Sequence, residues 1–158
     1  NLSQLKSSVA NALLGFKGEG LTVEERNGKL YVSLENSLLF PSGSWKVNDN
    51  GKNAIVQLSK VLVQQTDIQI MVEGHTDDVP YRGTGNIKDN WDLSVMRATA
   101  IVRILANNKG LKAHRITAAG KGSHSPLVEN NSSENRAVNR RTEIILSPNM
   151  DKLMELLD

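Results

Sequence analysis

The sequence contains no cysteine, so disulfide staples and thiolate metal sites are excluded and compartment is left open. Aromatic residues are only 4% of the chain, so any core must be built mainly from aliphatic side chains. No apolar run reaches the length needed to span a membrane. The first residues lack a charged stretch followed by an apolar one, so no secretory leader is visible, and an exported protein would have its anchor outside this sequence. Neither charge sign dominates: the net charge is +2, and no basic stripe with interleaved aromatics occurs, which argues against nucleic acid as a partner. No GxSxG elbow is present. The Gly120-Lys121-Gly122-Ser123 stretch lacks the spacing of a phosphate loop and reads as a turn.

What is present is a chain of 158 residues, enough for one domain with a short extension and a core that needs no covalent help. Leu2, Leu5, Val9, Ala12 and Phe16 recur at spacings of three and four, a helix seam. It serves either to pack on its own domain or to end a stalk. Residues 21–24 and 29–34 read as strands around Asn27-Gly28, a type I′ hairpin turn. Residues 38–44 look like an apolar strand end breaking into a turn. Asn48 or Asp49 caps a helix to about residue 65, and Ile68, Ile70 and Val72 alternate as a strand. A polar loop over 75–90 leads to a helix capped by Asp92. A strand at 115–119, a short helix opening at Ser133, a strand at 142–147 and a small amphipathic helix over 149–157 complete the chain. Strands alternating with helices predict an α/β (α+β) sandwich with a mixed sheet and helices on one face.

Three places carry chemistry. Gly74-His75-Thr76-Asp77-Asp78 leaves the end of a buried strand, where function concentrates. Arg97 shares a helix face with Leu93, Ile101 and Leu105, so a guanidinium stands in the core-facing stripe and needs an anionic partner. Asp77, Asp78 or a ligand carboxylate would each serve. Asn139 and Arg140, in a run holding three arginines over 136–141, are placed to brace the neighbouring loop or to offer donors to a carboxylate. A carboxylate for an ammonium and a guanidinium for a carboxylate together suit an amino-acid-like ligand.

These motifs resemble the OmpA-like C-terminal domain. The matching segments are Gly74-His75-Thr76-Asp77, Asn90-Trp91-Asp92-Leu93-Ser94-Val95-Met96-Arg97-Ala98 and Glu134-Asn135-Arg136-Ala137-Val138-Asn139-Arg140-Arg141-Thr142-Glu143-Ile144. Leu39-Phe40-Pro41-Ser42-Gly43-Ser44 fits that family's first core strand and turn. The insert over 78–90 looks most like the MotB branch and related lipoproteins. The resemblance covers about residues 20–147, leaving 1–19 as an N-terminal helix or stalk end and 148–158 as a C-terminal helix.

The resemblance implies a βαβαβ fold, no catalysis and no cofactor. It implies non-covalent binding of peptidoglycan through meso-diaminopimelate, in the periplasm and attached to the outer membrane, with an inner-membrane anchor as the alternative. Membrane contact would come only through a segment outside this sequence. The family pattern places Asp77 and Arg97 on the diamino acid. Thr76 and Asn90 are expected to line the pocket, Phe40 to floor it, Asn139 and Arg140 to wall it, and the amides opening the 92–108 helix to help hold a carboxylate. Pairing of two chains through residues 1–16 is left open. The competing readings are a protein-interaction domain that has lost its ligand and a metal-dependent hydrolase built on His75, Asp77 and Asp78.

Overall fold

The computed structural model describes residues 2–16, 18 and 20–157, with the side chains of 152 and 153 outside the description. Parts of the expected 1–19 and 148–158 segments, at positions 1, 17, 19 and 158, lie outside the described residues. The first element is helix α1, Leu2–Ala12, whose Leu5 and Val9 are fully enclosed in the main core together with Leu13. Strands β1, Leu21–Arg26, and β2, Lys29–Glu35, follow as an antiparallel hairpin. Asn27 and Gly28 both take positive φ, 52° and 76°, as a type I′ turn demands. Along β2, Leu30, Val32 and Leu34 are buried while their neighbours are more open, the period-two signature of a strand covered on one face.

The expected apolar strand end at 38–40 is instead one helical turn, α2, Asn36–Leu39. The cause is local. Pairing of β2 with its neighbour ends at Glu35↔Arg141. Asn36 is then held by its own amide on the Arg140 carbonyl at 2.7 Å and by its side chain on the His75 carbonyl at 3.4 Å. The turn that follows carries Leu38 and Leu39 into the core.

Helix α3, Asp49–Val63, is capped by Asn48, whose side chain accepts the Gly51 amide at 2.8 Å. Its far end is closed by Arg115, buried, with Nε on the Ile68 carbonyl and terminal nitrogens on the carbonyls of Leu62 and Gln65. A cation at the negative end of a helix dipole is favourable, and burial pulls the Arg115 pKa down from its ordinary value. Strand β3, Ile68–His75, leads to helix α4, Asn90–Ala106, then β4, Ile116–Gly120, helix α5, Ser133–Asn139, strand β5, Arg141–Pro148, and helix α6, Met150–Leu157.

The sheet order is β1-β2-β5-β3-β4, with β3 and β4 parallel and the other pairs antiparallel. It is the mixed sheet expected. Helices α1, α3 and α4 pack against one another and against the sheet over an aliphatic core of Leu30, Val32, Ile55, Leu58, Leu62, Ile70, Val72, Ile101, Leu105, Ile144 and Leu146. Each such side chain contributes about 1.5–3 kcal/mol on burial. No helix among the described residues is long and apolar enough to cross a membrane.

Candidate functional site

Two glycines decide where the site lies. A Cβ on Gly74 would stand 2.2 Å from the Ser94 carbonyl oxygen, and one on Gly120 would stand 2.5 Å from Ser94 Oγ. Only bare backbone at these strand ends lets the start of α4 press onto β3 and β4. Ser94, fully buried, accepts the Gly122 amide at 3.0 Å, and Gly122 in turn accepts the Thr76 amide at 2.8 Å. The chain leaving β3 at Asp77 is thereby locked beside the first turns of α4.

Between them opens a cleft of about 570 Å³ lined by Phe40, Pro41, Ser42, Asp77, Val79, Pro80, Tyr81, Leu93, Arg97 and Arg140, among others. Of the expected residues, the structure brings Asp77, Arg97, Phe40 and Arg140 together here. Arg97 is only 4% exposed. Its Nε donates to the Ser44 carbonyl at 2.8 Å, and its guanidinium carbon lies 5.2 Å from the centre of the Phe40 ring, within cation–π range. Among the described residues its two terminal nitrogens have no protein acceptor. Burial is the main cause that lowers the Arg97 pKa to about 10; Arg140 pushes the same way, while Tyr81 and Asp77 oppose it. The group is still a cation at neutral pH, held in a place that penalises the charge.

Asp77, buried, uses Oδ2 to receive Arg140 Nη1 at 2.7 Å and Oδ1 to receive the Val79 amide at 3.0 Å. The Arg140 side chain is 42% exposed and stands at the rim. Asp78 pairs with Arg136 at 3.0 Å outside the cleft.

Three expected lining residues have other work. Thr76 is buried behind the cleft, its Oγ1 donating to the Asp77 carbonyl at 2.9 Å. Asn90 reaches the Val79 carbonyl at 3.0 Å and pins the insert to α4. Asn139 is fully buried and spends its amide on the Leu127 and Val128 amides, the Val128 carbonyl and Asn130 Oδ1, which fixes the 127–130 loop and leaves nothing for a ligand. Helix α4 is capped by Asp89, which takes the Asp92 amide at 3.0 Å, while Asp92 takes the Lys88 amide at 2.9 Å. The expected cap thus sits one turn late, and the Asp92 amide is already taken by the protein's own carboxylate. Met96 is half-buried beside Trp45 and Val47.

Sequence reasoning missed Val79, Pro80 and Tyr81, because a polar insert gives no periodic signal for which side chains turn inward. It also missed Leu93 as cleft wall, having assigned it to the core stripe.

His75 does not join Asp77 and Asp78. It lies on the opposite face of the sheet, its Nε2 2.8 Å from Glu73 Oε1. Glu73 faces Glu143 directly across the ladder, a like-charge pair that His75 and the Arg141–Glu143 bond at 2.8 Å offset. Glu73, His75 and Glu143 bring ligand-type atoms within 4.8 Å of one another, but Arg141 already holds Glu143. The hydrolase arrangement of His75 with the two aspartates is not formed.

The sequence matches the OmpA family over residues 39–140. It is 30% identical to motility protein B of Bacillus subtilis (strain 168) over 148 residues, 93% of this chain and 56% of that protein. The fold superposes on a MotB-like protein from Desulfovibrio vulgaris with a TM-score of 0.82 at 27% identity, covering 92% of this chain and 93% of that one. It superposes on the cell wall anchor of the T6SS from Pseudomonas aeruginosa with a TM-score of 0.79 at 31% identity, covering 89% and 96%. The chain spans about half the length of the curated relatives it matches, 56%, 51% and 58% of the first three.

Proposed function

The chain belongs to the OmpA family, and from that premise we propose that it is a wall-anchoring module that grips peptidoglycan through the meso-diaminopimelate of the stem peptide. The observation that carries this reading is Arg97: a buried cation whose one hydrogen bond among the described residues goes to a carbonyl, with its terminal nitrogens left to a carboxylate in the cleft. Asp77 stands nearby to receive an ammonium in exchange for part of its bond with Arg140. Phe40, Leu93, Val79 and Pro80 offer apolar contact to the methylenes between the two ends of the diamino acid. The similar structure of a cell wall anchor supports the wall-anchoring part of this reading. The module binds without turnover, in the cell envelope, and a second part of the protein supplies the attachment to a membrane.

One exposed zwitterion site binds weakly, about 4–7 kcal/mol, or a Kd of ~10 µM to ~1 mM. Attachment then depends on many copies beside a polymer. The test is calorimetric titration with free meso-diaminopimelate and with lysine, which lacks the second carboxylate. Binding of the first and rejection of the second supports the reading. Absence of binding by folded protein overturns it in favour of a protein-interaction role for the same fold.

A further inference from the structure

The cleft holds more positive charge than a zwitterion can neutralise. Among its described lining residues Asp77 is the one carboxylate, facing the two guanidinium groups of Arg97 and Arg140, a formal sum of +1. Both Asp77 oxygens are engaged, one by Arg140 and one by the Val79 amide. A neutral zwitterion therefore leaves one cation uncompensated in a half-closed cleft where Arg97 and Arg140 repel each other.

We infer that the preferred ligand is a diamino acid at the free carboxyl end of a stem peptide, with both carboxylates available: Arg97 takes one at the buried floor, and Arg140 takes the other at the exposed rim. This inference rests on the diaminopimelate reading above. Such a residue carries two carboxylates and one free ammonium, a net charge of −1 that closes the count. When its main-chain carboxyl continues into a further residue, that carboxylate becomes a neutral amide, and the rim guanidinium has only a carbonyl to meet. The depths differ in the sense required: Arg97 is buried, whereas Arg140 keeps 42% of its side chain in solvent and reaches the part of the ligand nearest the opening. The module would then favour wall regions where stems have been trimmed to the diamino acid over regions where they are extended or cross-linked through that carboxyl.

The experiment is calorimetric titration of the whole chain with L-alanyl-γ-D-glutamyl-meso-diaminopimelate and with the same peptide amidated at its main-chain carboxyl, a change of one charge at nearly constant size. The acid is expected to bind about tenfold tighter than the amide, as a charge-assisted bond at a partly exposed position gives. The ratio should shrink when sodium chloride rises from 50 to 500 mM, conditions that shorten the screening length. In Arg140→Gln the ratio should fall to near one. Should that variant not fold, the salt series on the unaltered protein still decides, since it reads the ratio rather than the affinity. Equal binding of acid and amide, or a ratio that persists in Arg140→Gln, overturns this inference and leaves the diamino-acid cleft standing. If neither peptide binds, the cleft reading itself falls and this one falls with it.

Discussion

Replacing Arg97 by methionine should make the unliganded protein more stable while abolishing its grip on the wall. Arg97 is 4% exposed, and among the described residues its guanidinium meets one carbonyl and the face of Phe40. Its pKa stands at about 10 against an ordinary 12.5, which corresponds to at most roughly 3 kcal/mol of charge desolvation not recovered inside the protein. Methionine keeps an unbranched apolar stem without the guanidinium, leaves the Ser44 carbonyl without its donor, and removes that penalty. Subtracting about 1–2 kcal/mol for the lost bond leaves an expected net gain of about 1–2 kcal/mol. Binding moves the other way, because a desolvated guanidinium–carboxylate pair is worth roughly 2–5 kcal/mol, a loss of about thirtyfold or more. Urea unfolding, read beside pull-down on cell-wall material, measures both. A variant destabilised by more than about 1 kcal/mol would instead make Arg97 a structural group.

Three further outcomes follow from the same geometry. Gly74→Ala drives a methyl into the Ser94 carbonyl at 2.2 Å, so α4 must shift from β3; a loss of at least ~3 kcal/mol in chemical unfolding and loss of ligand binding are expected, whereas a stable, binding-competent variant would show that the close approach is dispensable. Asn139→Ala strands the backbone groups of the 127–130 loop and should cost about 2–4 kcal/mol, with hydrogen exchange at Leu127 and Val128 accelerated more than in the sheet. The Glu73 carboxyl sits below its ordinary 4.5 chiefly because His75 hydrogen-bonds it, with burial opposing. A carboxylate depressed in the folded state stabilises above its unfolded pKa, and that contribution is lost as pH falls through the folded value; thermal stability should therefore drop below about pH 4.5, and less steeply in Glu73→Gln.

The parts of this molecule that could be read from sequence are those set by neighbours along the chain. Asn27-Gly28 demands positive φ at two consecutive positions and returned a hairpin, and Asn48 capped the helix it was expected to cap. Alternation marked β2 and β3 because one face of each meets the core. What was misread depends on contacts across the fold. Asn36 is turned into a helix by groups on β3 and β5, and no local signal announces those partners. The helix cap is the local exception: Asp89 and Asp92 are both good caps one turn apart, and Asp92 turns back to the Lys88 amide while Asp89 takes the Asp92 amide. The Asp77–Arg140 pair joins residues 63 positions apart, so the sequence could offer Asp77 and Arg97 as complementary charges without revealing that Asp77 already has a cation. Asn139 announced donors and acceptors, but which loop would claim them is a matter of packing.

Attachment of this chain to a wall containing diaminopimelate, as proposed, runs through Arg97 and its cleft. Co-sedimentation with purified sacculi tests it most directly, using diaminopimelate-type and lysine-type walls beside Arg97→Ala. The unaltered protein should pellet with the first wall and weakly with the second, and Arg97→Ala should stay in the supernatant. Equal pelleting with both walls, or undiminished pelleting of folded Arg97→Ala, would contradict it.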